Sequence, residues 1–255
     1  MTLSDVARPN ELVYEGKAKR VYRMNDPDCY LVEFKDDATA LDGRKRGKIA
    51  GKGTVNCQVS AALFTHLESR SIRTHFVRLE SENTMVVRRL SMLPLEVVVR
   101  NIVAGSLSRR LGIAEGTRPA FPIIEFYYKS DALGDPLVVE DHIVGLGLAS
   151  RDVVSSLREA AGAVNRELAP FLAERGLVLV DFKLEFGWSD GVLLLGDEIS
   201  PDTCRLWDVA SGERLDKDRF RRDMGGVEEA YAEVLRRVVG EPTRWTSGEG
   251  EGSRP

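Results

Sequence analysis

The chain has little cysteine and little histidine for its 255 residues. Its 3 cysteines, Cys29, Cys57 and Cys204, form no CxxC pair and are odd in number. That argues against a disulfide scaffold and against a structural zinc site. The 3 histidines, His66, His75 and His142, make neither an HExxH motif nor an i, i+4 pair. A zinc hydrolase is therefore disfavoured, and without a GxSxG elbow so is a serine hydrolase. His66 falls inside a helical pattern and reads as a surface or half-buried residue. No apolar run approaches the ~18 residues that span a bilayer. Residues 1–10 lack a basic-then-apolar leader pattern, which predicts a cytoplasmic protein. Positive charge is not in excess either. Lys and Arg number 36 against 40 Asp and Glu, a net charge of −4. This argues against a general nucleic-acid binder but leaves room for local basic pockets.

What is present is ordinary globular composition, 43% hydrophobic and 30% charged. The length suits one large domain or two packed lobes, with a core that needs no staples. Residues 11–15 and 19–24 flank Gly16 and predict a β-hairpin; 30–35, 85–89, 95–102 and 123–128 read as further strands. Val55, Val59, Ala62, Leu63 and Leu67 recur at helical spacing over 54–69. A short helix is expected over 106–111. The clearest helix spans 151–174, with Ser150 as its cap and Pro170 expected to kink or shorten its end. Residues 177–186 and 192–195 predict a hairpin around 187–191, and a last helix covers 226–238. The Gly/Ser/Glu/Pro-rich stretch 241–255 reads as disordered. No internal repeat is visible. Strand runs followed by segregated helices predict an α+β fold. The division expected is an extension at 1–10, a β-rich lobe over 11–92, a mixed lobe over 93–240 and the tail.

Four clusters could carry chemistry. Lys17 and Lys19 follow Gly16 in a strand–turn–strand that can lay cations over phosphates, although an exposed basic hairpin is the commoner reading. Residues 47–53, GKIAGKG, fail the GxxxxGK[ST] test but could form a mobile phosphate-contacting loop. At 100–110 a strand gives way to a helix. Arg100 and Ser106 could receive a phosphate or carboxylate there, or Ser106 could be a plain N-cap. In Asp181-Phe182-Lys183-Leu184-Glu185-Phe186, polar and apolar residues alternate, so Asp181, Lys183 and Glu185 share one strand face. The hairpin can return Asp197 towards Glu185. Two such carboxylates suit Mg²⁺, which takes one or two carboxylates plus substrate phosphates. The following loop, 200–208, is dense in donors and carboxylates.

Seven ordered blocks then carry a resemblance over roughly residues 11–240: YEGKAKRVY at 14–22, FKDDATALDG at 34–43, GKGTVN at 51–56, PLEVVVRNIVAGSLSRRLG at 94–112, KSDALGDP at 129–136, LVDFKLEFG at 179–187 and LGDEISPDTCRLWD at 195–208. Together they resemble the SAICAR synthetase family of purine biosynthesis. The resemblance implies a two-lobed fold, similar to ATP-grasp and kinase-like enzymes, with nucleotide between the lobes. It implies joining of L-aspartate to the carboxylate of CAIR, a carboxylated aminoimidazole ribonucleotide, with ATP split to ADP and phosphate and Mg²⁺ as cofactor. It implies a homodimer acting on small molecules, with no nucleic-acid or membrane partner. Matched by position, Lys17 and Lys19 are phosphate lysines, Glu185 and Asp197 the Mg-ATP carboxylates, and Lys183 the lysine between them. Arg100, Ser106 and Arg205 match residues for CAIR. Asp135, Asp37 and Asp42 are further site candidates, with Asp135 grouped with Lys183 and Asp197 as catalytic. Arg219 and Arg221 could contact the ribonucleotide. The chain departs from the pattern at Cys57, Val139 and Cys204. A kinase-type phosphotransferase would need an HRDxxxxN loop and DFG, and neither is present. A nucleotide-sensing module without turnover is the rival from another class.

Overall fold

The computed structural model describes residues 11–40 and 43–240; Asp42, the expected extension at 1–10 and the tail at 241–255 lie outside the described residues. The chain begins as an antiparallel meander. β1 (Glu11–Glu15) and β2 (Lys19–Arg23) flank Gly16, and β3 (Cys29–Phe34) pairs with β2. A small hairpin follows, β4 (Asp37–Ala40) with β5 (Lys45–Lys48). Its charged and small residues show no clear alternation, so the sequence pattern does not reveal it. After α1 (Lys52–Ser69) come β6 (Phe76–Leu79) and β7 (Thr84–Arg88), which complete a sheet of order β1-β2-β3-β7-β6.

The second half contains β8 (Ser91–Arg100), α2 (Gly105–Leu111), β9 (Ile123–Tyr128), β10 (Leu137–Val138), α3 (Glu140–Gly145), α4 (Arg151–Ala173), β11 (Leu177–Ser189), β12 (Val192–Gly196), β13 (Cys204–Asp208), α5 (Asp218–Arg221) and α6 (Val227–Val239). The second sheet is antiparallel, β10-β9-β8-β11-β12, with β13 also on β11. The α+β class expected from the pattern is the one observed. β8 starts earlier than the pattern predicts and passes through Pro94. The missing N–H is tolerated because the β8–β11 register shifts between Glu185 and Gly187, opposite that stretch. Residues 204–208, expected as loop, are a strand: Cys204 pairs with Phe182 and Leu206 with Leu179.

α4 lays Val154, Leu157, Ala161, Val164, Leu168 and Leu172 on the second sheet. Each buried aliphatic side chain is worth roughly 1.5–3 kcal/mol relative to exposure. Ser150 caps the helix, its Oγ accepting from the Val153 N–H at 3.3 Å. Pro170 does not end it, since Glu174 N still donates to Pro170 O at 3.0 Å. α1 is apolar on two flanks. Val55, Val59, Leu63 and Leu67 join the large core with α4 and α6, while Cys57 and Ala61 pack with Val32, Phe34, Met85 and Val87 of the first sheet.

The Gly/Lys-rich stretch at 47–53 is not a free phosphate loop. Gly51 N and Gly53 N donate to the Asp36 carboxylate at 3.1 and 2.8 Å, and Lys52 is only 1% exposed. Lys52 Nζ lies 3.0 Å from Asp202, which also meets Lys217 at 3.2 Å and accepts from the Tyr231 hydroxyl at 2.6 Å. A buried lysine keeps its charge only beside such a partner. This knot fastens α1 to α6. Tyr231→Phe, which deletes one hydrogen bond to a buried charge, is expected to lower stability by roughly 1.5–3 kcal/mol. Urea unfolding followed by fluorescence measures it, and an unchanged midpoint would show that the hydroxyl contributes nothing.

Candidate active site

One face of β11 forms the floor of the site. Phe182, Leu184 and Phe186 point into the core, which leaves Asp181, Lys183 and Glu185 on the opposite face. The hairpin turns on Asp190-Gly191, both at positive φ (50° and 75°), the geometry of a tight two-residue turn. β11 therefore runs on through Gly187, beyond the expected strand end. A Cβ there would lie 2.9 Å from Leu90 Cβ and from Ser91 O, so only glycine fits. The turn sets the register from Ser189↔Val192 to Glu185↔Gly196 and so delivers Asp197 beside Glu185. Asp197 sits at φ 58°, in the left-handed region. This conformation costs an ordinary residue about 1–2 kcal/mol and is one that aspartate tolerates better than most.

Lys183 binds this group together. Its Nζ lies 2.6 Å from Glu185, 3.0 Å from Glu96 and 3.6 Å from Asp197. From the other lobe, Lys19 pairs with Asp197 and lies 3.1 Å from Glu198, while Lys129, at the end of β9, pairs with Glu185. Burial opposes the charge on Lys19, Lys183 and Asp197, but the surrounding opposite charges win. Lys19 and Lys183 are held above the ordinary lysine range by Asp197, Glu185 and their neighbours. The Asp197 carboxyl is held well below the usual carboxylate range by Lys19, Lys183 and Lys129. Glu96 is pushed up, by burial first. Behind this group the segment before β6 crosses β12. Thr74 bridges Leu195, and His75 N donates to Leu195 O at 2.8 Å, tying one sheet to the other just before Asp197.

The floor continues to a second cluster. Asp181 stands opposite Arg100 on β8 and Arg205 on β13, and both guanidinium groups reach it at 2.9 Å. Arg100 is 3% exposed and also meets Glu125 at 2.6 Å, Ser106 Oγ at 3.0 Å and the Tyr127 hydroxyl at 2.9 Å. Ser106 is not the N-cap. Ala104 takes that position, and Gly105 N donates to Glu115 at 3.0 Å. Arg205 and Arg221 share Asp218, at 2.9 and 2.6 Å. Lys217 stands beside them, its ammonium pushed down by burial against the opposing pull of Asp202.

The two clusters open on one cavity of about 800 Å³ between the lobes. Lys17, Lys19, Arg100, Ser106, Asp135, Lys183, Glu185, Asp197, Arg205 and Arg221 all belong to its wall. Lys17 is half exposed and paired with Asp131 at 2.7 Å. Asp135 accepts from Ser130 N at 2.8 Å and so holds its own loop at the cavity wall. Asp37 is not in the wall; it pairs with Lys35 at 3.1 Å, away from the cavity. Arg219 is not there either, and donates to the backbone oxygens of Gly225 and Arg214, both at 2.9 Å. Glu96, Lys129, Glu198 and Lys217, not among the candidates from sequence, also line the wall, as does Asp202 of the carboxylate-rich loop. For Glu96 a signal existed, since β8 alternates around it; for Lys129 and Lys217 only the blocks themselves could have pointed to them.

Among the described residues no group of three or more His, Cys, Asp or Glu is gathered to hold a metal. A hard cation that shares its shell with phosphate oxygens needs only one or two carboxylates. Glu185 and Asp197, both reached by Lys183, fit such an ion. Interleaved cations over paired carboxylates, between two lobes, suit an enzyme that moves phosphoryl groups among anionic substrates.

Comparison with known proteins narrows that class. The sequence profile described as SAICAR synthetase matches residues 12–238. The phosphoribosylaminoimidazole-succinocarboxamide synthase of Brevibacillus brevis is 59% identical over 232 residues, 91% of this chain and 97% of its own. The crystal structure of that synthase from Ehrlichia chaffeensis superposes with a TM-score of 0.89 at 41% identity, over 91% of this chain and 100% of that one. A SAICAR synthetase solved with ADP superposes with a TM-score of 0.87 at 49% identity, over 89% and 97%. The chain belongs to the SAICAR synthetase family. Its activity is the ATP-dependent, ADP-forming ligation for which the family is named.

The fold behind the arginine cluster has a cost that depends on pH. Asp216 is fully buried and accepts from Leu206 N at 2.9 Å and Asp218 N at 2.7 Å. Burial, then the neighbouring Asp218, push its carboxyl up to about 7. Between about 4 and 7 the folded chain thus keeps a proton that the unfolded chain releases, so stability falls as pH rises through that window. From pH 5 to pH 8 the wild type is expected to lose about 2–3 kcal/mol relative to Asp216→Asn. Urea midpoints at the two pH values measure it; parallel losses in both proteins would remove Asp216 as the cause.

Proposed function

We propose that Glu185 and Asp197 receive Mg-ATP, that Lys17, Lys19 and Lys183 hold its phosphates, and that Arg100, Ser106, Arg205 and Arg221 hold CAIR. The observation that carries this assignment is the meeting of Lys19, from the glycine-flanked hairpin, with Asp197, from the turn after β12, above the Lys183–Glu185 pair. Asp135 takes a positioning part through its loop, and Asp37 takes none. A cytoplasmic location and a homodimeric assembly complete the proposal on the strength of the family resemblance.

A carboxylate is a poor electrophile towards an amine, so it must first be activated. The CAIR carboxylate oxygen attacks the γ-phosphorus of ATP, the bond to the β–γ bridging oxygen breaks, and ADP leaves. The aspartate amine then attacks the acyl carbon of the mixed anhydride; phosphate departs with the former carboxylate oxygen, and the nitrogen loses its proton. Such transfers need alignment and neutralised charge more than covalent help. Mg²⁺, held by Glu185 and Asp197, would supply charge neutralisation at the phosphates. The lysines fix the phosphates in line, and Arg100 and Arg205, already locked by Asp181, present their donors without reorganisation. The chain is net acidic at −4, so attraction of three anionic substrates rests on these local cations.

With CAIR labelled by ¹⁸O in its carboxylate, phosphate release should depend on aspartate, and each released phosphate should carry one label. Unlabelled phosphate would overturn the acyl-phosphate route; nucleotide binding without aspartate-dependent release would favour the sensing module instead. Ser106→Ala should raise the KM for CAIR about 5–20-fold, the worth of one to two kcal/mol for a lost hydrogen bond, with the KM for ATP unchanged. An effect confined to ATP would contradict the placement of CAIR at that end.

A further inference from the structure

Neither proposed metal carboxylate is bare. Glu185 is buried, and two ammonium groups share it: Lys183 at 2.6 Å and Lys129. Asp197 is held by Lys19 and by Lys183 at 3.6 Å. These cations stand where a divalent ion would have to approach. They are not equivalent. Lys19 stands at the start of β2 and Lys183 inside β11, 17% and 26% exposed, whereas the Lys129 side chain, just past β9, is 45% exposed. Its backbone is nevertheless anchored. Lys129 N donates to Pro94 O at 3.0 Å, and Ser130 N to the Asp135 carboxylate at 2.8 Å. The backbone is fixed, and the long side chain is the most exposed of the three.

We propose that Lys129 is an exchangeable counter-cation, a positioning residue that satisfies Glu185 in the free enzyme and turns to the nucleotide phosphates when Mg-ATP binds. The inference rests on the metal assignment made above. Its physical basis is substitution. A divalent ion arriving alone must displace an ammonium group and leave it facing other cations. An ion arriving with a polyphosphate gives that group a new anionic partner. Metal and nucleotide are thereby coupled, and the coupling is reciprocal. The enzyme would discriminate against free metal while keeping Glu185 ionised and in place.

The test reads metal binding directly. Mn²⁺ is titrated into wild type, Lys129→Met and Lys129→Arg, and free Mn²⁺ is followed by electron paramagnetic resonance with and without ADP. Lys129→Met should bind Mn²⁺ alone about tenfold more tightly, as loss of one adjacent charge implies. The tightening caused by ADP should shrink by the same factor. Lys129→Arg, which keeps the charge, should stay near wild type. Equal nucleotide-free Mn²⁺ affinity in Lys129→Met and wild type would overturn the proposal. Asp197→Asn in the presence of ADP separates the two layers: if it leaves Mn²⁺ binding unchanged, the metal assignment itself fails, whereas weakened binding there beside an unaltered Lys129→Met rejects the counter-cation alone. Thermal melting confirms that each variant is folded.

Discussion

Every buried carboxylate of the cavity has to keep a cation within reach, and the rest of the architecture follows from that constraint. Removing an ion from water costs several kcal/mol, while two charges 4 Å apart recover about 4 kcal/mol at a protein-like dielectric. The balance closes only when each ion has more than one partner. The molecule meets this by giving β11 a charged upper face and an apolar underside, then flanking it with strands that bring opposite charges into register. Asp181 between Arg100 and Arg205 is one instance; Lys183 among Glu96, Glu185 and Asp197 is another. Such networks add little net stability, and the aliphatic contacts beneath them carry the fold.

The same constraint divides the cavity. At one end, ammonium groups predominate: Lys17, Lys19, Lys129 and Lys183, point charges that suit mobile phosphates. At the other, guanidinium groups are locked by Asp181 and Asp218, planar donors that suit a fixed ribonucleotide. The lobes meet over the first end, where the hairpin cation lands on Asp197 and the segment ending in His75 braces β12.

Much of this was legible in the residues. The strict alternation from Asp181 to Phe186 reveals a one-sided strand, and the stripe from Val154 to Leu172 reveals the main helix, because both are local periodicities. What local pattern cannot carry is partnership. The Asp190-Gly191 turn fixes where Asp197 falls, yet Gly187 invites an earlier turn; only the close approach of Leu90 and Ser91 shows that this glycine belongs inside the strand. Lys52 sits in a Gly/Lys-rich run with the composition of a phosphate loop, but burial against Asp202, 150 positions away, makes it structural. Lys129 lies in a stretch without periodicity, so its approach to Glu185 depends wholly on the pairing of β9 with β8. Asp37 sits in a shared block and still faces elsewhere, since the β4–β5 hairpin turns it towards Lys35.

Helix α1 presents one flank to each hydrophobic core, with Val59 and Leu63 in one and Cys57 and Ala61 in the other. A rod keyed into both halves cannot be shared by bodies that swing apart, so wholesale jaw-like opening would tear two cores at once. Free of that frame is β1, an edge strand exposed along its whole length and, among the described residues, paired only with β2.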